Sequence, residues 1–302
     1  MRFVGWAAGV RVAVLRLGAA CAPLFLCGCS GQMVLLHPAG PVGTAEKGIF
    51  LTAFALMLIV VLPVFAMLFF FAWRYRASNK RAFYAPGWAS SRAIEVAVWT
   101  VPVLIVGALG YLTWTSTHAL NPYRPLASAA RPLDVDVVAL NWKWLFIYPD
   151  QHIATVNELV IPADVPVSFR LTSETVMTSF FIPRLGTQIY AMPGMRTKLH
   201  LMADRPGVYT GLNYNFSGRG YSAMHFEVKA VSIQAFEQWA AQAKRGGQAL
   251  DAAALRRLEK PSVANPVRSY SDVAPHLFAR IVHRTMTADR APSGLTAENG
   301  AG

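Results

Sequence analysis

The chain has 302 residues, 54% hydrophobic and only 15% charged, with a formal net charge of +12 and a mean hydropathy of +0.35. Those values lie outside the range of soluble globular proteins and toward membrane proteins. A basic excess of this size suits nucleic acid in a soluble protein. Beside apolar spans it serves topology and acidic lipid headgroups instead, so nucleic acid is set aside as a partner. All 3 cysteines (Cys21, Cys27 and Cys29) precede Ser30, which leaves the remaining chain without disulfides or thiolate metal ligands.

Residues 1–28 read as a secretory leader. Arg2, Arg11 and Arg16 supply its positive region, and the apolar stretch from Leu17 to Gly28 is too short to span a bilayer. The leader ends in Leu26-Cys27-Gly28-Cys29-Ser30, similar to a bacterial lipobox. Cys29, preceded by the small Gly28, is the candidate for cleavage and diacylglyceryl attachment; Cys27 follows Leu26 and fits poorly. An ordinary leader with an incidental cysteine is the other reading.

After an external segment, 29–47, the first transmembrane helix is expected over 48–74. No charge interrupts Gly48 to Trp73, and about 20 apolar residues cross a bilayer core. Pro63 is tolerable where neighbours re-satisfy the freed carbonyl, and Trp73 and Tyr75 suit the interface. A loop, 75–92, follows, and a second span is expected over 93–118, with Pro102 in its first turns and Tyr111 and Trp114 toward its far end. Arg74, Arg76, Lys80, Arg81 and Arg92 crowd the connection, with no acid before Glu95. The positive-inside rule puts this loop in the cytoplasm and both ends of the chain outside.

From Leu133 the pattern changes to short alternating strands within an external domain, 119–232. Alternation predicts one long strand from Leu133 to Tyr148, with Asp134, Asp136, Val138, Leu140, Trp142, Trp144, Phe146 and Tyr148 on one face. Further strands are expected at 158–161, 166–172, 180–182, 197–201, 207–212 and 224–231, punctuated by Pro162, Pro183, Pro193-Gly194 and Pro206-Gly207. Many short strands argue for an antiparallel sandwich or barrel. A helical extension, 233–286, follows, with an amphipathic helix over 232–245 and a shorter one over 248–258. Mixed aromatic and basic sequence over 266–286 suits docking on a partner, and the tail, 287–302, is expected to be disordered.

A leader, two spans and one external β domain resemble subunit II of the haem-copper oxidases. The segment Ile94-Glu95-Val96-Ala97-Val98-Trp99-Thr100-Val101-Pro102 is similar to the start of that family's second span. Asn141-Trp142-Lys143-Trp144 resembles its aromatic strand, and Ser179-Phe180-Phe181-Ile182-Pro183-Arg184-Leu185-Gly186 followed by Ala191-Met192-Pro193-Gly194 resembles the cupredoxin segment that opens the metal site. The implied fold is a transmembrane α-helical hairpin followed by an all-β cupredoxin-like Greek-key sandwich or barrel with short C-terminal helices.

In the cytochrome c oxidase branch, two histidines, two cysteines, a methionine and a backbone carbonyl hold a dinuclear copper centre, whose bridging sulfurs must be soft thiolates. Carried onto this chain, the histidine positions are Thr178 and Tyr221, the cysteine positions Asn213 and Ser217, and the carbonyl position Asn215; only Met224 remains. A lone thioether does not hold copper, and His200 and His225 read as surface or capping residues. The loss resembles the bo-type quinol oxidases, whose loop is similar to Asn215–Met224 here; Asn157-Glu158 and the stretch from Pro266-Val267 to Leu277-Phe278 are also similar.

That resemblance implies a terminal oxidase that oxidises ubiquinol, reduces oxygen to water and pumps protons. It implies haems, copper and the quinol site in subunit I, further partners in subunits III and IV and membrane lipid, no cofactor on this chain, and an inner-membrane location with the β domain periplasmic. Glu95, at the cytoplasmic start of the second span, is either the entrance of a proton channel into subunit I or a helix-start acid favoured by the macrodipole. Trp142 and Trp144 are expected in the core, with Lys143 breaking the aromatic run; Arg184 and Arg219 are available to pair with partner acids. Two rivals stand beside this reading: a copper-bearing cytochrome c oxidase subunit II, and a stand-alone lipoprotein scaffold.

Overall fold

The computed structural model describes residues 33–83 and 85–290; the leader with Cys29 and the tail from 291 lie outside the described residues. The chain divides into two units, Met1–His37 and Pro38–Gly302. Of the first, the described part is a 3-10 turn, Val34–Leu36, with its flanking residues.

The second unit opens with α1, Pro41–Arg74, and α2, Arg92–Ala119. Pro41 occupies the first turn of α1, where its missing N–H is no loss and its fixed φ suits a helix. At 1.5 Å per residue the helices are about 51 and about 42 Å long, more than a hydrocarbon core of about 30 Å requires. Both are apolar along their spans, and those spans are unburied within this chain. Such surfaces belong against lipid or other helices. The extra turns of α1 reach the β domain: Ala39 N–H donates to Arg184 O at 2.7 Å and Gly43 N–H to Leu185 O at 3.0 Å. Val42 is buried there, and a Cβ on Gly186 would lie 2.6 Å from its Cγ1, so only glycine admits the contact.

The β domain contains β1 Leu133–Leu140, β2 Lys143–Tyr148, β3 Ile153–Val156, β4 Glu158–Pro162, β5 Val167–Ser173, β6 Thr178–Phe181, β7 Ile189–Ala191, β8 Thr197–Leu201, β9 Gly207–Asn213 and β10 His225–Val231. Then come α3 Ile233–Gly246, β11 Gln248–Leu250, α4 Ala252–Glu259, β12 Arg268–Val273 and α5 Leu277–Arg290. Ser232 Oγ and Asp251 Oδ1 cap α3 and α4 by accepting from Ala235 N–H at 3.2 Å and Ala254 N–H at 2.7 Å. The strands form a seven-stranded sheet, β11-β12-β3-β2-β1-β5-β8, and a five-stranded sheet, β4-β10-β9-β6-β7.

Between the sheets lies an aromatic core of Trp144, Phe146, Phe169, Phe180 and Phe226. Phe180 stacks on Phe226 at 5.2 Å, and Trp144 meets Phe180 edge-on at 5.4 Å, the geometry ring quadrupoles favour. Tyr148 ties the sheets, its hydroxyl donating to Val160 O at 3.0 Å and accepting from Val160 N–H at 2.9 Å. A second core covers the outer face of the larger sheet, where Val138, Leu140, Leu145 and Ile147 pack under Leu255, Leu258, Phe278 and Ile281.

The structure corrects the sequence reading in several places. The sandwich is mixed rather than antiparallel, with β1 paired parallel to β5 and β10 parallel to β4. The expected long strand over Leu133–Tyr148 is a hairpin turning at Asn141-Trp142, with Trp142 at φ +59°. Val137 pairs with Phe146 and Ala139 with Trp144, so odd positions of β1 share a face with even positions of β2. Because both faces of this sheet are covered, polar–apolar alternation could not reveal the reversal. The extension is not purely helical: β12 pairs with β3 and β11 with β12, so Gln248–Leu250 is a strand and α4 starts after it. The short strands β3 and β7 also escaped sequence reading, and α5 runs on to Arg290.

Candidate functional site

The residues that the family resemblance puts at copper-ligand positions gather where β6, β9 and the loop before β10 meet. Asn213 ends β9, and its backbone N–H donates to Met224 O at 3.1 Å. Its Oδ1 accepts from Ser179 N–H at 2.9 Å and Asn215 N–H at 3.0 Å. Its Nδ2 donates to Ser217 Oγ at 3.1 Å and lies 3.5 Å from Met224 Sδ. The amide thus uses both its acceptor and donor ends inside the frame. Asn215, at the carbonyl position, turns outward and donates from Nδ2 to Met177 O at 3.0 Å.

Trp142 locks the loop from the other side. Its Nε1–H donates to Ser217 O at 2.8 Å, and a Cβ on Gly220 would lie 2.3 Å from its ring. This tryptophan is therefore a turn residue packed against the loop and only partly buried, unlike the fully buried Trp144. Of the remaining positions, Thr178 starts β6 beside Ser179, with its hydroxyl buried and unpartnered. Tyr221 turns away to meet the exposed Phe216 ring at 5.8 Å. Asn213, Ser217 and Met224 are brought together; Thr178 adjoins them and Tyr221 leaves.

A dinuclear copper centre does not fit this donor set. An amide already hydrogen-bonded at both ends, a hydroxyl and a thioether supply no bridging thiolate. His200 binds the linker instead, its Nδ1 2.9 Å from Pro122 O, and His225 is an exposed strand residue. Arg184 lies over the Tyr209 ring at 5.5 Å.

Glu95 stands in the first turn of α2, its N–H bonded to Ser91 O at 2.9 Å, on a surface exposed in this chain. It lies beside Arg92 at the end of the basic connection.

A second polar cluster escaped sequence reading. Lys143 is 1% exposed. Its Nζ donates to Leu258 O and Lys260 O, each at 2.8 Å, and to Ser262 Oγ at 2.6 Å. Asn141 Nδ2 adds a bond to Glu259 O at 3.1 Å. The β1–β2 hairpin therefore receives the C-terminal carbonyls of α4, where a cation is favoured. Burial, followed by the charge of Arg268, lowers the Lys143 pKa, while Glu174 raises it. A charged residue inside an otherwise apolar strand was the one available signal.

Two membrane-length helices followed by a two-sheet β-sandwich define a class: subunit II of a terminal oxidase. Comparison with known proteins agrees. Residues 133–231 match the family described as cytochrome c oxidase subunit II, periplasmic domain, and residues 244–288 match the COX aromatic rich motif. The cytochrome bo(3) ubiquinol oxidase subunit 2 of Pseudomonas putida is 53% identical over 261 residues, covering 86% of this chain and 82% of that one. Its counterpart in Pseudomonas aeruginosa is 51% identical, over 86% and 78%. The ubiquinol oxidase subunit 2 of Acetobacter aceti is 48% identical, over 89% and 87%. The chain belongs to the family of ubiquinol oxidase subunit 2. It is a subunit of a terminal oxidase of the inner membrane, with partner oxidase subunits and a periplasmic β domain.

Proposed function

We infer that this chain is the non-catalytic second subunit of an enzyme that oxidises ubiquinol, reduces oxygen to water and pumps protons. Haems and copper belong to subunit I, and subunits III and IV complete the complex. The observation that carries this reading is the bonding of Asn213 to Ser179, Asn215 and Ser217. Protein groups close the frame that in copper-bearing relatives surrounds metal. An electron arriving from a water-soluble carrier finds no relay there. Ubiquinol dissolves in the bilayer and reaches subunit I directly, so no external relay is needed.

In this reading α1 and α2 pack against subunit I and the β domain covers its outer face. Glu95 is the carboxylate at the entrance of a proton channel into subunit I, on the cytoplasmic side set by the basic loop. Cys29 carries a diacylglyceryl anchor that holds the mature N-terminus at the outer leaflet.

The test is affinity capture on this chain from detergent-solubilised membranes. Haem-bearing subunits are expected with it, and the captured material consumes oxygen with ubiquinol but not with reduced cytochrome c. Haem-free material, or turnover with cytochrome c, overturns the reading. Mass spectrometry of the mature N-terminus tests Cys29: a start at any other residue, or an unmodified sulfur, removes the anchor.

A further inference from the structure

A cluster of opposite charges joins three distant parts of the chain on the outer side of the membrane. Arg284 of α5 donates from one nitrogen, Nη2, to Glu174 Oε1 at 2.7 Å and to Glu259 Oε1 at 2.6 Å. Glu174 follows β5, and Glu259 is the last residue of α4. Both carboxylates are largely buried, with side chains 13% and 19% exposed, whereas Arg284 is 48% exposed. Glu174 Oε2 is buried without a hydrogen-bond partner. Lys143 is the other cation close enough to act on Glu174, and its Nζ is already occupied by the carbonyls of Leu258 and Lys260 and the hydroxyl of Ser262.

With both carboxyls ionised, two negative charges share one guanidinium nitrogen, and a carboxylate oxygen lies buried and bare. That is an unfavourable arrangement in a medium of low dielectric. One proton on Glu174 removes that charge excess.

We propose that Glu174, crowded by Glu259 under the one guanidinium of Arg284, takes a proton there, and that this protonated carboxyl fastens α4 and α5 to the β domain. The C-terminal extension is then gripped according to the pH outside the membrane. Burial, then repulsion from and hydrogen bonding with Glu259, push Glu174 up to about 7, against the opposing charges of Arg284 and Lys143. An acid whose pKa is raised on closing binds its proton better closed than open. The contribution is full below the ordinary value of 4.5 and is lost as pH rises to about 7, above which it is flat.

The grip also borders the former metal loop. The Glu174 N–H donates to Ala139 O at 2.9 Å, Ser173 Oγ donates to Val176 O at 2.5 Å, and Asn215 holds the next carbonyl, that of Met177. His276 and His283 are exposed residues at and on α5. A variant that alters only the carboxyl pair separates their effect.

The experiment is hydrogen–deuterium exchange on the purified oxidase complex, corrected for intrinsic rates, between pH 4.5 and 8. The peptides covering 252–259 and 277–290 are read in wild type, Glu174→Gln and Glu259→Gln. In wild type, protection of both helices rises by up to roughly tenfold per pH unit below about 7 and is level above it. Glu174→Gln imitates the protonated carboxyl and abolishes the rise. Glu259→Gln removes the neighbouring charge but not the burial of Glu174, and makes the rise smaller. Should Glu174→Gln fail to assemble, a smaller rise in Glu259→Gln decides. A wild-type profile without the rise, a rise that persists in Glu174→Gln, or an undiminished rise in Glu259→Gln overturns the proposal.

Discussion

The Lys143 ammonium donates to the Leu258 carbonyl at 2.8 Å, joining the aromatic hairpin of the β domain to the last turn of α4 across 115 positions of sequence. A lysine that is 1% exposed within an aromatic strand would be a severe defect if unpaired. Three acceptors converge on it here, two of them carbonyls that the helix itself leaves unsatisfied. The residue that interrupts the aromatic run is therefore the C-terminal cap of a helix far along the chain.

Lys143→Met is expected to loosen the extension rather than unfold the sandwich. Methionine fills the volume but leaves those carbonyls without a donor, at a cost of about 1–3 kcal/mol. Limited proteolysis of the purified complex should show faster cleavage within 248–290 while residues 133–231 stay resistant. Unchanged cleavage of the extension would show that the cap contributes nothing.

Asn213 is expected to be the most sensitive residue where β6 and β9 meet. Asn213→Ala orphans the Ser179 and Asn215 N–H groups and should lower stability by about 2–3 kcal/mol. Asn213→Asp keeps the acceptor for both and should lose less. Thermal unfolding of the two variants in the complex checks the order, Ala below Asp; the reverse order contradicts the assigned bonding.

Arg170 holds Asp136 at 2.5 Å, and the aspartate side chain is only 7% exposed. Burial outweighs the hydrogen bond and charge of Arg170, so the Asp136 pKa lies above its ordinary 3.8. Folding thus favours the protonated carboxyl, and this contribution fades as pH rises from 3.8 through the folded value. Arg170→Met removes the compensating cation and extends the loss to higher pH. At neutral pH the variant should be less stable by up to about 3–5 kcal/mol, with much of the difference recovered in acid. Melting temperatures of variant and wild type across pH 4 to 8 test this; a constant gap refutes it.

Glu95→Gln preserves shape and removes the charge at the start of α2. In reconstituted oxidase, ubiquinol-driven oxygen consumption and proton uptake from the side of the basic loop are both expected to fall several-fold. Wild-type rates in this variant would return Glu95 to the role of a helix-start acid.

Much of the molecule was legible in local sequence. Hydrophobic length and flanking arginines mark the spans wherever the chain later packs, because lipid asks only for apolar length and satisfied backbone. The lack of any cysteine after Cys29 was equally plain, since a chemical group that is absent cannot be supplied by folding. The identity of what fills the frame was not. That an asparagine amide satisfies Ser179, Asn215 and Ser217 together depends on three segments meeting.

By itself, then, the sequence determined a two-span member of an electron-carrier fold with no cysteine after Cys29, because those properties belong to composition and local order. Tertiary structure alone decided the face change at Asn141-Trp142, the covering of the larger sheet by β11, β12, α4 and α5, and the meeting of Glu174 with Arg284 across 110 positions. Periodicity reports that a face is buried, but not what buries it, and a charge reveals its partner only when the chain has brought the two within reach.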